Sequence, residues 1–283
     1  MPNTRFALLP DRGILAVSGD DRASFLQGLV SNDTTRLAPG RAMYAALLTA
    51  QGKYLHDFIM VEVLPESGDA AIWLDAEAAR IADLRRRLSM YKLRAKVAIE
   101  ALPDLAVGAV FGGDLPEIAV PDPRLPELGG RVILPRDTLR QTLVGLGLAE
   151  AEFAEYDRLR LGLGIPDGSR DLIVDKSILL ESGFDELHGV DWQKGCYIGQ
   201  ELTARTKYRG LIKKRLFPVR IDGPAPEPGT ILTADGKEAG EMRSSLGDIG
   251  LALVRLENAA APLVAGDTNV RAVAPAWMVT QAE

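Results

Sequence analysis

Eight consecutive residues concentrate the chemistry of this chain: Lys194-Gly195-Cys196-Tyr197-Ile198-Gly199-Gln200-Glu201. They hold the sole cysteine, two glycines that permit backbone shapes and close approaches other residues resist, and several polar side chains. The pattern from Ile198 to about Lys207 is helical, which would set Cys196 beside a helix N-terminus with Lys194 two residues away. Both sources of positive potential favour a thiolate, so one reading of Cys196 is a reactive thiol. The other is a small buried apolar residue, the commoner state of a lone cysteine. Around this segment Lys194, Arg205, Lys207, Arg209, Lys213, Lys214 and Arg215 face a single acid, Glu201. Such a reversal suits an anionic ligand or a phosphate backbone, or is simply a solvated charged face. Only Tyr197, Tyr208 and Phe217 interleave with the cations, too few for base stacking, which argues against direct nucleic-acid binding.

Composition excludes a great deal. The 283 residues suggest about two domains. The formal net charge of −6 argues against coating nucleic acid by overall charge. With one cysteine and two histidines, His56 and His188, the chain cannot hold an iron–sulfur cluster on four thiolates, close an internal disulfide or build a Cys/His zinc site. No metal is therefore expected on this chain alone. A lone thiol fits a reducing compartment. The apolar run Phe6–Leu9 is halted by Pro10, and Ala42–Leu48 is far below the roughly 20 residues of a membrane helix. The expectation is a cytoplasmic protein that does not engage a membrane. Gly162-Leu163-Gly164 lacks the third glycine of a dinucleotide fingerprint. There is no P-loop and no Gly-x-Ser-x-Gly elbow, so dehydrogenase, kinase and serine hydrolase readings fall.

The elements that must position the segment are legible in outline. Phe6–Leu9 and Ile14–Val17 read as a hairpin around Asp11-Arg12-Gly13, followed by a helix from about Asp21 to Val30. A second hairpin pairs Met43–Thr49 with Tyr54–Val63 across Gln51-Gly52-Lys53. After a strand at Ala71–Leu74, Asp75 is expected to cap a helix that buries Ile81, Leu84 and Leu88 and turns Arg80 and Arg85–Arg87 towards solvent. Lys96–Ile99 returns as a strand. Prolines and glycines make Pro103 to Gly130 a loop-rich connection around a short strand, Ala109–Phe111. Helices near Leu139–Gly147 and Ala151–Leu161 follow. Beyond Leu211, short strands at Leu216–Ile221, Thr230–Thr233 and Gly250–Val254 read as a small closed or sandwiched β-module. The expected class is α+β followed by a β-barrel.

The run Lys194–Glu201 resembles the Lys-Gly-Cys-Tyr-x-Gly-Gln-Glu signature of the YgfZ-type folate-binding proteins. These are relatives of mitochondrial iron–sulfur assembly factors and of the glycine-cleavage T-protein, an aminomethyltransferase. Ala23–Leu29 with Ser31-Asn32-Asp33, and Gln51-Gly52-Lys53 leading to Asp57, are similar to the family's N-terminal pattern. Arg158–Pro166, Leu180-Glu181 and Leu187–Trp192 are similar to the approach to the signature, so the resemblance spans most of the chain.

The resemblance implies two interleaved α+β lobes within residues 1–210 and a C-terminal barrel over 211–283, around a central opening that takes the pterin of tetrahydrofolate or a one-carbon derivative. It assigns Glu181 to the pterin's donors, and Lys194, Tyr197, Gln200 and Arg205 to folate binding. Cys196 and Asp57 become the catalytic candidates. Bland alternatives stand beside these: a surface glutamate at 181, a turn or ladder-end residue at Asp57, and a helix pair of Arg205 with Glu201 at four-residue spacing. His56 stands where the T-protein pattern has a second acid, which weakens the transfer of aminomethyl chemistry. The first reading is a folate-binding accessory protein for iron–sulfur cluster assembly or repair, including cluster enzymes of tRNA modification, with assembly or client proteins as partners. The second is a tetrahydrofolate-dependent one-carbon transferase. An RNA-binding module ranks last.

Overall fold

The computed structural model describes residues 3–64, 70–210 and 212–279. In chain order the first elements are β1 (Arg5–Leu8), β2 (Arg12–Ser18), α1 (Arg22–Gln27), β3 (Met43–Leu48) and β4 (Tyr54–Val63). They continue as β5 (Ala71–Glu77), α2 (Ile81–Met90), β6 (Ala98–Ala101), β7 (Leu105–Phe111), β8 (Val120–Pro121) and β9 (Gly130–Pro135). Next come α3 (Leu139–Gly145), β10 (Ala149–Glu150), α4 (Phe153–Leu163) and α5 (Gln200–Tyr208). The last strands are β11 (Lys214–Asp222), β12 (Ile231–Ala234), β13 (Lys237–Leu246), β14 (Ile249–Arg255), β15 (Leu263–Ala265) and β16 (Thr268–Ala272).

These strands make two five-stranded sheets, ordered β3-β4-β5-β2-β6 and β10-β1-β7-β9-β8, and a closed six-stranded barrel, β11-β14-β13-β12-β15-β16. The fold is α+β with a C-terminal barrel. The two open sheets interleave in sequence, because β1 precedes the strands of the other sheet and β7 to β10 follow them. The chain forms two compact units. One comprises Met1–Ala50, Leu55–Tyr156 and Leu187–Ile198; the other comprises Gln51–Tyr54, Asp157–Glu186 and Gly199–Glu283. Leu211, where the sequence starts the β-module, lies outside the described residues, and the barrel's first strand begins at Lys214.

Local patterning located ten of the sixteen strands, whereas tertiary pairing chose their partners. The first hairpin does not form: β1 pairs with β7 and β10, and β2 pairs with β5 and β6. Phe6 and Ala7 are fully buried, and so are Leu15 and Val17, so each strand buries its apolar residues in a different sheet. The amide of Arg12 donates to Leu9 O at 3.1 Å, which redirects the chain at Pro10 and Asp11 rather than folding it back on itself. Asp75 caps no helix. It lies inside β5, fully buried, and accepts from Arg12 Nε at 2.7 Å; a 3-10 turn over Ala78–Arg80 leads into α2 instead. The stretch read as loop-rich also carries β8, with β9 starting at its end.

The second hairpin does form. Every residue of β3 and the first eight of β4 are buried, so their apolar runs are nearly continuous rather than alternating. Its turn needs glycine at position 52. There φ is +77°, and a Cβ would stand 2.6 Å from Leu202 Cβ and 2.7 Å from Gly199 O at the start of α5. In the barrel, Phe217, Leu232, Met242 and Val254 fill the interior.

Candidate functional site: an anchored cysteine strap

Residues Asp191 to Ile198 have no helical or ladder structure of their own, yet they are fixed at both ends. Asp191 Oδ1 accepts from the amides of Gln193 and Lys194 at 2.7 and 2.8 Å, and its Oδ2 accepts from Arg36 at 2.9 Å. The Lys194 ammonium donates to three carbonyls, Gln27 at 2.9 Å, Val30 at 2.6 Å and Asn32 at 2.7 Å. An ammonium has three protons, so this set is complete. Lys194 Nζ also stands 5.0 Å from the centre of the Tyr197 ring, whose side chain is buried. Burial pushes the amine down to about 8, with Asp33 and Asp191 opposing, so it is still charged at neutral pH. At the far end the Ile198 amide donates to Gly28 O at 3.3 Å. Between these anchors Cys196 is free and exposed.

The N-terminal and signature motifs therefore form one interlocked structure. Ser31 Oγ donates to Gly189 O at 2.6 Å, and Asn32 Nδ2 donates to Tyr44 O and His188 O, both at 2.7 Å. Both side chains are buried, and all three acceptors are backbone carbonyls. Two sequence expectations change here. Cys196 is exposed, against the reading of a small buried residue, and α5 begins at Gln200 rather than Ile198, so the thiol lies four residues before the helix. Gly199 has φ of +82°, as a backbone role for glycine requires, but at Gly195 neither φ nor space demands it.

Adjacent residues of β4 serve opposite faces, as the period of a strand dictates. His56 is 2% exposed, and its Nε2 donates to Asp83 Oδ2 on α2 at 3.0 Å. Burial, reinforced by Arg80, pulls the imidazole down to about 4, so it is neutral. Burial alone would raise Asp83, but hydrogen bonds from Arg87, Arg86 and His56 hold it well below the usual carboxylate range. Asp57 is buried too, and accepts from Tyr44 Oη at 2.9 Å. His56 thus lies on the α2 face, away from Asp57.

Tyr44 connects Asp57 to a cavity of about 520 Å³ within the first unit, lined by Asn32, Arg36, Tyr44, Asp122, His188 and Asp191 among others. The Arg124 guanidinium lies 5.4 Å from the Tyr44 ring centre and forms a two-toothed pair with Asp122 at 2.9 and 2.7 Å. Asp122 is in turn 3.5 Å from Arg131, which is 3.8 Å from Asp75. Sequence reasoning missed this buried ionic chain. A signal existed at Tyr44, a hydroxyl inside an apolar run that must find a partner when buried. The acid and base flanking Pro123 were hidden in a proline-rich stretch.

In the second unit Glu181 sits on a short 3-10 turn, Leu179–Ser182. It is half-buried, and burial raises its pKa while Lys53, Lys214 and Arg243 pull the other way. Among the described residues no hydrogen bond or ion pair engages its carboxylate. Gln200 opens α5, half-buried, and Arg205 pairs with Glu201 on the helix surface. The structure thus brings Cys196, Lys194 and Tyr197 together in the first unit, with Asp57 on β4 of that unit. Glu181, Gln200 and Arg205 belong to the second.

The chain is 37% identical to the mouse mitochondrial iron–sulfur cluster assembly factor IBA57, over 97% of this chain and 86% of the relative. The chain belongs to the IBA57 family. The human mitochondrial IBA57 is 36% identical over 90% of this chain and 78% of its own length. The family model for the CAF17 C-terminal β-barrel domain matches residues 213–280. Among solved structures, the glycine cleavage system aminomethyltransferase T from Bartonella henselae superposes with a TM-score of 0.77 over 98% of this chain and 86% of its own. At 15% identity that likeness concerns the fold, which is T-protein-like. The cytoplasmic location expected from the sequence is corrected by the relatives, which are named as mitochondrial proteins. A lone thiol calls for a reducing compartment and does not distinguish between the two.

Proposed function

We propose that this IBA57-family chain acts in iron–sulfur cluster assembly or repair, with folate as its bound cofactor, in the manner of the related YgfZ-type proteins. The observation that carries the reading is the strap: an exposed thiol fixed on one side by three carbonyls on Lys194 and on the other by the Ile198 amide. One thiol cannot hold a cluster, so the cluster is cargo shared with a partner, and a rigid exposed sulfur suits contact between proteins. Cluster enzymes of tRNA modification are the clients we expect to depend on it.

Glu181 fits the folate role. A half-buried carboxylate with free oxygens can accept two hydrogen bonds from the amide-like donors of a pterin, and the same burial makes such bonds strong. Bound tetrahydrofolate supplies nitrogens that carry one-carbon units. Gln200 and Arg205 are the further candidate contacts in that unit. The Lys194 ammonium fixes the strap instead of reaching for a ligand, because its donors are already placed. Asp57 is the one acid on its face of β4, with Tyr44 as its hydroxyl partner, and we propose that no aminomethyl transfer takes place there.

The test combines a tetrahydrofolate titration by calorimetry with complementation of a strain lacking its own assembly factor. Glu181→Ala should weaken folate about 10- to 100-fold, matching one lost charged hydrogen-bond pair. Cys196→Ser should fold and bind folate normally yet fail to restore cluster-dependent tRNA modification. Full restoration by the serine variant would remove the thiol from the function, and unchanged folate affinity would remove Glu181. Methylene-tetrahydrofolate formed at enzymatic rates would favour the transferase instead.

A further inference from the structure

From Arg85 to Lys96 the chain carries six cations, Arg85, Arg86, Arg87, Lys92, Arg94 and Lys96, and no acid. Helix α2 ends at Met90, and the residues after it form a compact exposed corner before β6. Met90 is 56% exposed, Tyr91 43% and Leu93 91%. Arg86 and Arg87 are engaged with Asp83, and Arg85 Nε donates to Ile99 O. Among the described residues, no side-chain hydrogen bond or ion pair engages Lys92, Arg94 or Lys96. An apolar tip ringed by unpaired cations is thus displayed on a protein of net negative charge.

The corner is built, not loose. Tyr91 N donates to Leu88 O at 3.0 Å and Ala95 N to Lys92 O at 2.7 Å. The far end is clamped by Asp21, whose Oδ2 accepts from Lys96 N at 2.7 Å and whose amide donates to Lys96 O at 3.4 Å. Gly19 makes room for that clamp: a Cβ there would lie 2.3 Å from Lys96 O. Leu93 has φ of +41°, a left-handed conformation that leucine rarely adopts. The surrounding bonds hold it there with its side chain in solvent.

We propose that the corner Met90–Lys96 is a docking knob for an acidic protein that has an apolar pocket for Leu93. Charge complementarity names the partner's sign, and the single protruding side chain on a fixed backbone names its shape. A preorganised apolar anchor inside a ring of charges is how a protein interface gains both specificity and association rate. RNA fits less well, since the tip is leucine and Tyr91 is the one aromatic available for stacking. An anionic membrane fits less well too, because membrane affinity grows with buried apolar area, and three side chains at one corner, Met90, Tyr91 and Leu93, offer little. The inference does not depend on the iron–sulfur reading.

The test places the photocrosslinking residue p-benzoylphenylalanine at position 93, and as a control at Val144, which is exposed elsewhere on the same unit. Crosslinking is done in cells on the full chain, adducts are identified by mass, and the purified partner is titrated with the intact protein. We expect one dominant protein adduct at 93 and none at 144, from a partner of acidic isoelectric point. Leu93→Ala and the triple variant K92E/R94E/K96E should each weaken its binding at least tenfold, with unchanged circular dichroism and melting, and added salt should weaken the wild type. In parallel the wild type is mixed with poly(U) RNA and with vesicles of equal parts phosphatidylglycerol and phosphatidylcholine. Absence of any protein adduct at 93, a basic partner, or binding unaffected by both variants overturns the proposal. So does RNA or vesicle binding that the Leu93→Ala and triple variants abolish.

Discussion

Between Lys194 and Arg215 the chain has seven cations against one acid, and between Arg85 and Lys96 six against none, so by sequence the two stretches look alike. In the structure they differ. Four of the first seven are answered from within: Lys194 by three carbonyls, Arg205 by Glu201, Lys207 by Asp185, and Arg215 by Glu186 at 2.7 Å; among the described residues Arg209, Lys213 and Lys214 have no such partner. In the second, only the helical arginines find partners, and Lys92, Arg94 and Lys96 are left to solvent. Local excess of one charge therefore says little about ligands until it is known where the opposite charges fold. In the first stretch Lys194 and Arg215 act as mortar, whereas in the second the free cations gather in one exposed corner around Leu93.

The comparison makes graded claims on stability. Lys194→Met should cost the most, about 4 kcal/mol, because three carbonyls lose a charged donor at once. Urea denaturation measures it, and a loss below about 1 kcal/mol would mean that the ammonium belongs to solvent or to a ligand. Next comes acid. His56 titrates near 4 when folded, below its ordinary 6.5, so the unfolded chain takes up the proton first as pH falls. Its contribution is fully present above about pH 6.5 and is lost towards pH 4, by about 3 kcal/mol in all. His56→Gln should flatten that slope; an equally steep loss in the variant would trace it to other groups.

Smaller effects follow from the rim of each stretch. Arg215→Ala should cost about 2 kcal/mol, since both partners of its pair are nearly buried and Glu186 would be left unanswered. A melting temperature equal to wild type would return Arg215 to the solvated class. The triple change K92A/R94A/K96A should move stability by no more than about 0.5 kcal/mol, the usual range for free surface positions. A larger loss would show that these lysines and the arginine hold the fold after all, and the contrast between the two stretches would vanish.

Much of the architecture was legible in the residues. Three of the six barrel strands, β11, β12 and β14, the β3–β4 hairpin with Gly52 at its turn, and the apolar face of α2 at Leu84 and Leu88 follow from local periodicity and turn chemistry. What periodicity could not supply was partnership. The strands at Phe6 and Ile14 were visible, but nothing local says that one joins β7 and the other β5. The same holds at the site. Cys196 and Lys194 stood out by type and spacing, while the carbonyls that occupy Lys194 come from residues far away in sequence. Backbone acceptors leave no mark in a side-chain pattern. Asp75 misled because an aspartate before a helical run is a common cap, and only its burial against Arg12 reveals another task.

The pairing of β1 has a consequence for how the protein is made. Its two neighbours are β7 and β10, and the register joins Arg5 to Phe111 on one side and to Ala149 on the other. A chain leaving the ribosome exposes Phe6 and Ala7 before either partner strand exists. The five strands of the intervening sheet can pair among themselves meanwhile, but the first strand must wait for residue 111 on one side and residue 150 on the other. Long-range closure of this kind slows folding and leaves an apolar edge open while it lasts.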